Sequence, residues 1–203
     1  MSNVEWVSAF LTAFVLIVPV ELPDKTFVAT LVLGTRYRPW PVWLGVTAAF
    51  GVQCLVAVAA GALISKLPST PVRLFAGVMF AIGAVILFRG ARKADAEGAR
   101  QEQEYEQKVT EPRTGIRAAA ASFVVLFAAE WGDLSQLMTA GLVASGRPGV
   151  PVFFGAWAGL ATVAGAAALL GRWLLKRVRL SVIRYIGAGV CAVLAMLTVI
   201  SLV

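Results

Sequence analysis

No charged residue occurs between Arg38 and Lys66, or between Arg147 and Arg172. Each run exceeds the roughly 20 apolar residues a helix needs to cross a bilayer. In hydrocarbon the backbone must satisfy its own hydrogen bonds, so runs of this kind fold as transmembrane helices. Composition agrees. Of 203 residues, 59% are hydrophobic and 14% charged, too few charges for a soluble domain of this length. Ala and Gly fill the apolar runs and allow close helix packing.

The charge-poor runs predict six spans, at about 5–34, 41–65, 72–89, 115–145, 150–171 and 183–203. The third is short, and Arg73 and Arg89 would have to snorkel from its ends. Six spans put Arg36, Arg38, Arg89, Arg92, Lys93, Arg100, Lys108, Arg113, Arg117, Arg172, Lys176, Arg177, Arg179 and Arg184 on one side. Only Lys66, Arg73 and Arg147 fall on the other. The basic side is cytoplasmic by the positive-inside rule, so both termini are expected outside. The net charge of +7 is scattered over these flanks, which gives no support to nucleic-acid binding. The first residues lack a basic region and a small-residue cleavage site, so no removable signal peptide is read there.

The expected fold is an all-α membrane protein: six transmembrane helices as two inverted three-helix repeats, with broken first and fourth helices. Residues 1–90 form the first repeat, 91–113 a charged cytoplasmic linker, and 114–203 the second, inverted repeat. The linker balances acids against bases and favours helix, and reads as a solvated connector. The duplication is visible directly. "VELPDKTFVAT" (Val20 to Thr30) aligns with "AEWGDLSQLMT" (Ala129 to Thr139), and Gly45, Gly61 and Gly77 recur as Gly155, Gly171 and Gly187 after one inserted residue. An odd number of spans in each half inverts the second, an arrangement used by transporters with a site at the repeat interface.

Each aligned motif carries two acids: Glu21 and Asp24, then Glu130 and Asp133. Their distance from the flanking arginines puts both glutamates on the order of 20 Å from the nearest membrane edge charge, near mid-bilayer. A carboxylate there costs about 2.5–3.5 kcal/mol even on the lenient insertion scale, so four acids are not packing residues. Glu and Asp at i and i+3 share a helical face and can meet one ion. Gln136 continues the second series, while Thr26 and Ser135 add hydroxyls at matching positions. Histidine is absent, and Cys54 and Cys191 lie far apart, so the donors are oxygens. That chemistry suits Ca²⁺, Mn²⁺ and Mg²⁺.

Pro19 and Pro23 cannot donate to the preceding turn, so the first helix is expected to break at its acids; Gly132 allows a similar break in the second half. Lys25 either offsets the crowded acids or takes part in the exchange. Four neighbouring carboxylates cannot all stay charged in an apolar cavity, so protons occupy the site when metal does not. A returning proton then displaces the metal. An inward proton gradient would therefore drive metal out.

Two copies of a Glu-x-Gly-Asp-(Lys/Arg)-(Ser/Thr) pattern in two three-helix halves resemble the transmembrane-protein-165 family of Ca²⁺/Mn²⁺–proton exchangers, among the cation-exchanger and lysine-exporter-like transporters. The resemblance implies a secondary transporter, not an enzyme, that exports Mn²⁺ or Ca²⁺ in exchange for H⁺. It implies Glu21, Asp24, Glu130 and Asp133 as cation ligands, with Gln136, Thr26 and Ser135 completing or supporting the site. No cofactor is expected beyond the transported ions; the expected partners are those ions, as substrates, and the lipid bilayer. A bacterial plasma membrane is the expected location.

The sequence departs from the pattern at Pro23, where Gly is usual, and at Leu134, where a basic residue is usual. Lys25 alone then offsets four acids. An intramembrane aspartyl protease would leave the second-copy glutamate without a role. The alternative is an amino-acid or organic-cation exporter of the lysine-exporter type, whose acids would hold an ammonium group.

Overall fold

The computed structural model describes residues 3–22, 25–108, 113–177 and 180–200. All regular structure among them is helical: α1 (Asn3–Glu21), α2 (Lys25–Arg36), α3 (Pro39–Ile64), α4 (Ser69–Ala91), α5 (Ala94–Lys108), α6 (Gly115–Ala129), α7 (Leu134–Ala144), α8 (Gly149–Arg177) and α9 (Leu180–Ile200). Pro39 opens α3, where a missing N–H is harmless and the fixed φ suits the first turn.

Helices α1, α3, α4 and α8 contain stretches long and apolar enough to cross a bilayer, and the pair α6 and α7, bent by 70° at its break, makes a fifth when taken as one span. Residues Thr26–Arg36 and Arg184–Ile200 form shorter apolar helices. This is the pattern of a multi-pass membrane protein. The expected short third span instead belongs to a helix of 23 residues, because it runs through Arg73 and Arg89 rather than stopping between them. Large apolar side chains such as Leu55, Leu63, Leu169 and Ile186 face outward, where lipid rather than water suits them.

The packing is reciprocal. Helix α1 lies along α8, and α6 along α3; α2 also packs on α8, and α7 on α3. Helix α4 pairs with α9, and α3 touches α8. Exchanging α1 with α6, α2 with α7 and α3 with α8 therefore turns each of the first four contacts into another. The aligned glycines take part. A β-carbon on Gly45 would run into the carbonyl of Ala119 in α6, and one on Gly155 into the carbonyl of Phe10 in α1.

Tryptophan repeats the theme between the long helices. Trp43 of α3 donates its indole N–H to the Ala161 carbonyl at 2.8 Å, and Trp157 of α8 donates to the Thr47 carbonyl at 2.9 Å. Each ring lies over a glycine of the facing helix, Gly165 and Gly51 respectively.

The linker departs from a simple solvated connector. Its helical part, α5, packs on α2 and α9, with Ala94 at its start and Ala91 at the end of α4 fully buried. Arg184 of α9 fixes this corner: one guanidinium nitrogen donates to the Gly90 carbonyl at 3.0 Å and meets Glu97 at 3.1 Å.

Candidate metal centre

Two helix breaks supply the site. Helix α1 ends at Glu21, the Leu22 N–H closes its last turn on the Val18 carbonyl at 2.9 Å, and α2 begins at Lys25. Pro23 and Asp24 lie outside the described residues, as does the side chain of Lys25. Helix α6 ends at Ala129, and its break is a tight turn from Glu130 to Asp133, whose N–H meets the Glu130 carbonyl at 3.3 Å. Gly132 takes φ +79° there, the third-position geometry of a type II turn. Any residue with a β-carbon would be strained at that φ.

Gln136 brackets this turn from α7. Its side-chain oxygen accepts the Gly132 N–H at 3.2 Å, and its amide nitrogen donates to the Glu130 carbonyl at 2.7 Å. Asp133 is the N-cap of α7 and receives the Gln136 and Leu137 N–H groups on its carbonyl, at 3.1 and 3.2 Å. Its carboxylate makes no capping bond. It points elsewhere.

Carboxylate oxygens of Glu21, Glu130 and Asp133 all lie within 4.8 Å of one another. Glu21 and Glu130 are 1% and 2% exposed, while Asp133 is partly exposed. The fold thus gathers acids from both halves of the chain into one buried cluster. Thr26, in the first turn of α2, donates its hydroxyl to Glu21 Oε1 across the first break. Ser135 is buried in the first turn of α7, and Thr139 one turn on donates to the Ser135 carbonyl at 2.8 Å.

The helix ends reinforce the site electrostatically. Helices α2 and α7 start at the acids and offer their positive amide ends, while α1 and α6 finish there with carbonyls. Three carboxylates at this spacing require cations or protons between them. Oxygen donors alone, clustered and largely dry, can hold a divalent ion of the Ca²⁺ or Mn²⁺ kind.

One buried polar side chain beside the second break was missed from the sequence. Gln53, in the middle of α3 and 2% exposed, donates its side-chain amide to the Phe127 carbonyl at 3.1 Å. It is the one amide side chain in the charge-free run from Pro39 to Ser65, and that isolation was the available signal.

The family model described as divalent cation/proton antiporter GDT1 matches residues 9–95 and 118–203, leaving most of α5 and the start of α6 unmatched. The chain belongs to the GDT1 family. The resemblance read from the doubled acidic motif is thus borne out at the level of family. Among its relatives, the chloroplastic protein PAM71 of Arabidopsis thaliana is 30% identical over 97% of this chain. A GDT1-like protein of Synechocystis is 30% identical over 89% of the chain and 91% of its own length. The chloroplastic GDT1-like protein 1 of rice is 28% identical over 97% of the chain. The chain spans 58% of the PAM71 length and 63% of the rice protein's. No solved structure matches it significantly.

Proposed function

We propose that this GDT1-family chain exchanges a divalent cation for protons across a membrane, moving Mn²⁺ or Ca²⁺ out of the cytoplasm. The observation that carries this reading is the buried cluster of Glu21, Glu130 and Asp133, drawn from two broken helices. Asp24 belongs to the same aligned motif as Glu21 and completes the proposed ligand set with Gln136, whose side-chain oxygen has a second lone pair. Thr26 and Ser135 support the acids, and Lys25 tunes their charge. Mg²⁺ sheds its water reluctantly, so a largely dry carboxylate site favours Mn²⁺, or Ca²⁺, over it.

The mechanism follows from charge balance. Metal binding requires the carboxylates to release protons, and proton return weakens their hold on the metal. The two loads therefore compete for one site. With an inward proton gradient the net direction is metal export. Reciprocal packing of α1 on α8 and α6 on α3 supports two inverted three-helix repeats, with residues 91–113 as the linker between them. Rocking of one repeat against the other would expose the cluster alternately to each side. The distribution of arginine and lysine favours a cytoplasmic linker and both termini outside, in a bacterial plasma membrane.

Purified protein in proteoliposomes, offered Mn²⁺, Ca²⁺ and Mg²⁺ separately, tests the reading. Metal-dependent proton movement with Mn²⁺ or Ca²⁺ supports it. Absence of coupled proton movement with every ion, or inhibition by lysine alone, sinks it in favour of an organic-cation exporter.

A further inference from the structure

Gln53 does more than satisfy itself. An amide buried in an apolar span is costly unless bonded, and this one spends its N–H on the Phe127 carbonyl. In a continued helix that carbonyl would receive the Trp131 N–H. Helix α6 instead ends at Ala129, so the break leaves the Phe127 carbonyl to a side chain from another helix. Phe127 lies three residues before Glu130. The bond therefore ties the last turn before the acid to α3, which belongs to the other half of the chain.

Glu130 is held from both directions. Upstream, Gln53 anchors the turn that leads into it; downstream, Gln136 holds its own carbonyl at 2.7 Å. The long helix α3 also carries α6 at Gly45 and α7 at Gly61, where a β-carbon would meet the Ala140 carbonyl at 2.5 Å. Gln53 sits between these two close approaches, opposite the break itself.

We infer that Gln53 is a positioning residue for Glu130: its bond to Phe127 sets where the carboxylate stands and hence how tightly the site holds a divalent cation. This inference rests on the cation-exchange reading above. The competing account gives Gln53 a purely structural role, a polar side chain finding the nearest carbonyl.

The test is Gln53→Met, which keeps the length of the side chain and suits the apolar span but cannot donate. Purified full-length protein in detergent would be titrated with Mn²⁺ and Ca²⁺, reading affinity from metal-dependent thermal stabilisation alongside the metal-free Tm. The expected result is about tenfold weaker metal affinity, on top of a lowered metal-free Tm from the Phe127 carbonyl that loses its donor. Unchanged affinity, with or without a fall in metal-free Tm, overturns the inference and leaves a structural amide. If Gln53→Met does not fold, Gln53→Asn retains an amide one methylene too short, and wild-type affinity in that variant overturns the inference equally. A wild-type protein that neither binds nor moves Mn²⁺, Ca²⁺ or Mg²⁺ would instead remove the exchange reading itself, and this inference with it.

Discussion

Thr26 donates its hydroxyl to Glu21 across the break between α1 and α2, so the first turn of one helix holds the last acid of another. A hydroxyl bonded to a carboxylate favours one orientation of that carboxylate. Thr26→Val keeps the branched shape and removes the donor. Metal affinity is expected to fall by about tenfold or more, the scale of one charge-assisted hydrogen bond. Titration with Mn²⁺ in detergent would check it, and an undiminished affinity would show that Glu21 is oriented without Thr26.

Glu130→Gln preserves shape and removes one of the three clustered carboxylates. Metal-driven proton movement is expected to disappear in proteoliposomes. The metal-free protein should remain folded, because an amide in that buried position relieves a charge rather than creating one. Full transport by the variant would move the site away from this cluster.

The acids were legible in the sequence for a physical reason: a carboxylate in the middle of an apolar run has few tolerable explanations, and an aligned second copy removes most of those. Gly132 likewise announced the second break, whereas Pro19 lies inside α1, which runs on to Glu21. Gln136 was visible as a donor, but not its use as a bracket on the turn, since that depends on the positive φ of Gly132. Gln53 was hidden because its partner, Phe127, lies in another helix and offers only a backbone carbonyl, which no side-chain pattern encodes. The docking of α5 was hidden too. Its composition is that of a solvated helix, and the residues buried where it joins α4 are two plain alanines, Ala91 and Ala94.

Close packing at the aligned glycines makes a stability prediction. Gly45→Ala and Gly155→Ala each push a methyl into a backbone carbonyl, of Ala119 and of Phe10. Backbone cannot rotate away as a side chain can, so each should cost about 1–3 kcal/mol. Gly189→Ala is the control: nothing lies within 4 Å of its added carbon, and helix propensity should make it neutral or mildly stabilising. Thermal unfolding of the three variants in one detergent would rank them. Equal Tm values throughout would contradict the contact of α3 with α6 and of α8 with α1.

At the α5 corner, the two partners of one ion pair should behave differently. Glu97 is 46% exposed at its side chain, so Glu97→Ala should cost no more than about 0.5 kcal/mol and vanish in high salt. Arg184 is 12% exposed and also holds the Gly90 carbonyl at the end of α4. Arg184→Ala should cost about 1 kcal/mol and persist in salt, because the Gly90 carbonyl loses a charged donor and keeps the Lys93 N–H, at 3.1 Å. Tm measured at low and high ionic strength would separate them. Matching losses in both variants would mean that the ion pair, rather than the carbonyl bond, secures α5.

Leu134 stands beside Asp133 in the place where the family pattern has a basic residue, and its side chain reaches toward Gly83 of α4, 3.4 Å from where a β-carbon there would stand. Leu134→Lys therefore asks two things of the site. The ammonium must leave the contact with α4, and it adds a positive charge next to the carboxylate cluster. A nearby cation favours the ionised acids, so protons should compete less well with metal at low pH. The expected outcome is a pH profile of Mn²⁺-coupled proton movement displaced toward acid, with a modest fall in Tm from the lost apolar contact. Proteoliposome assays across a pH series would measure the displacement. A lowered Tm with an unmoved pH profile would mean that position 134 serves the packing of α7 on α4 and has no electrical reach into the carboxylate cluster.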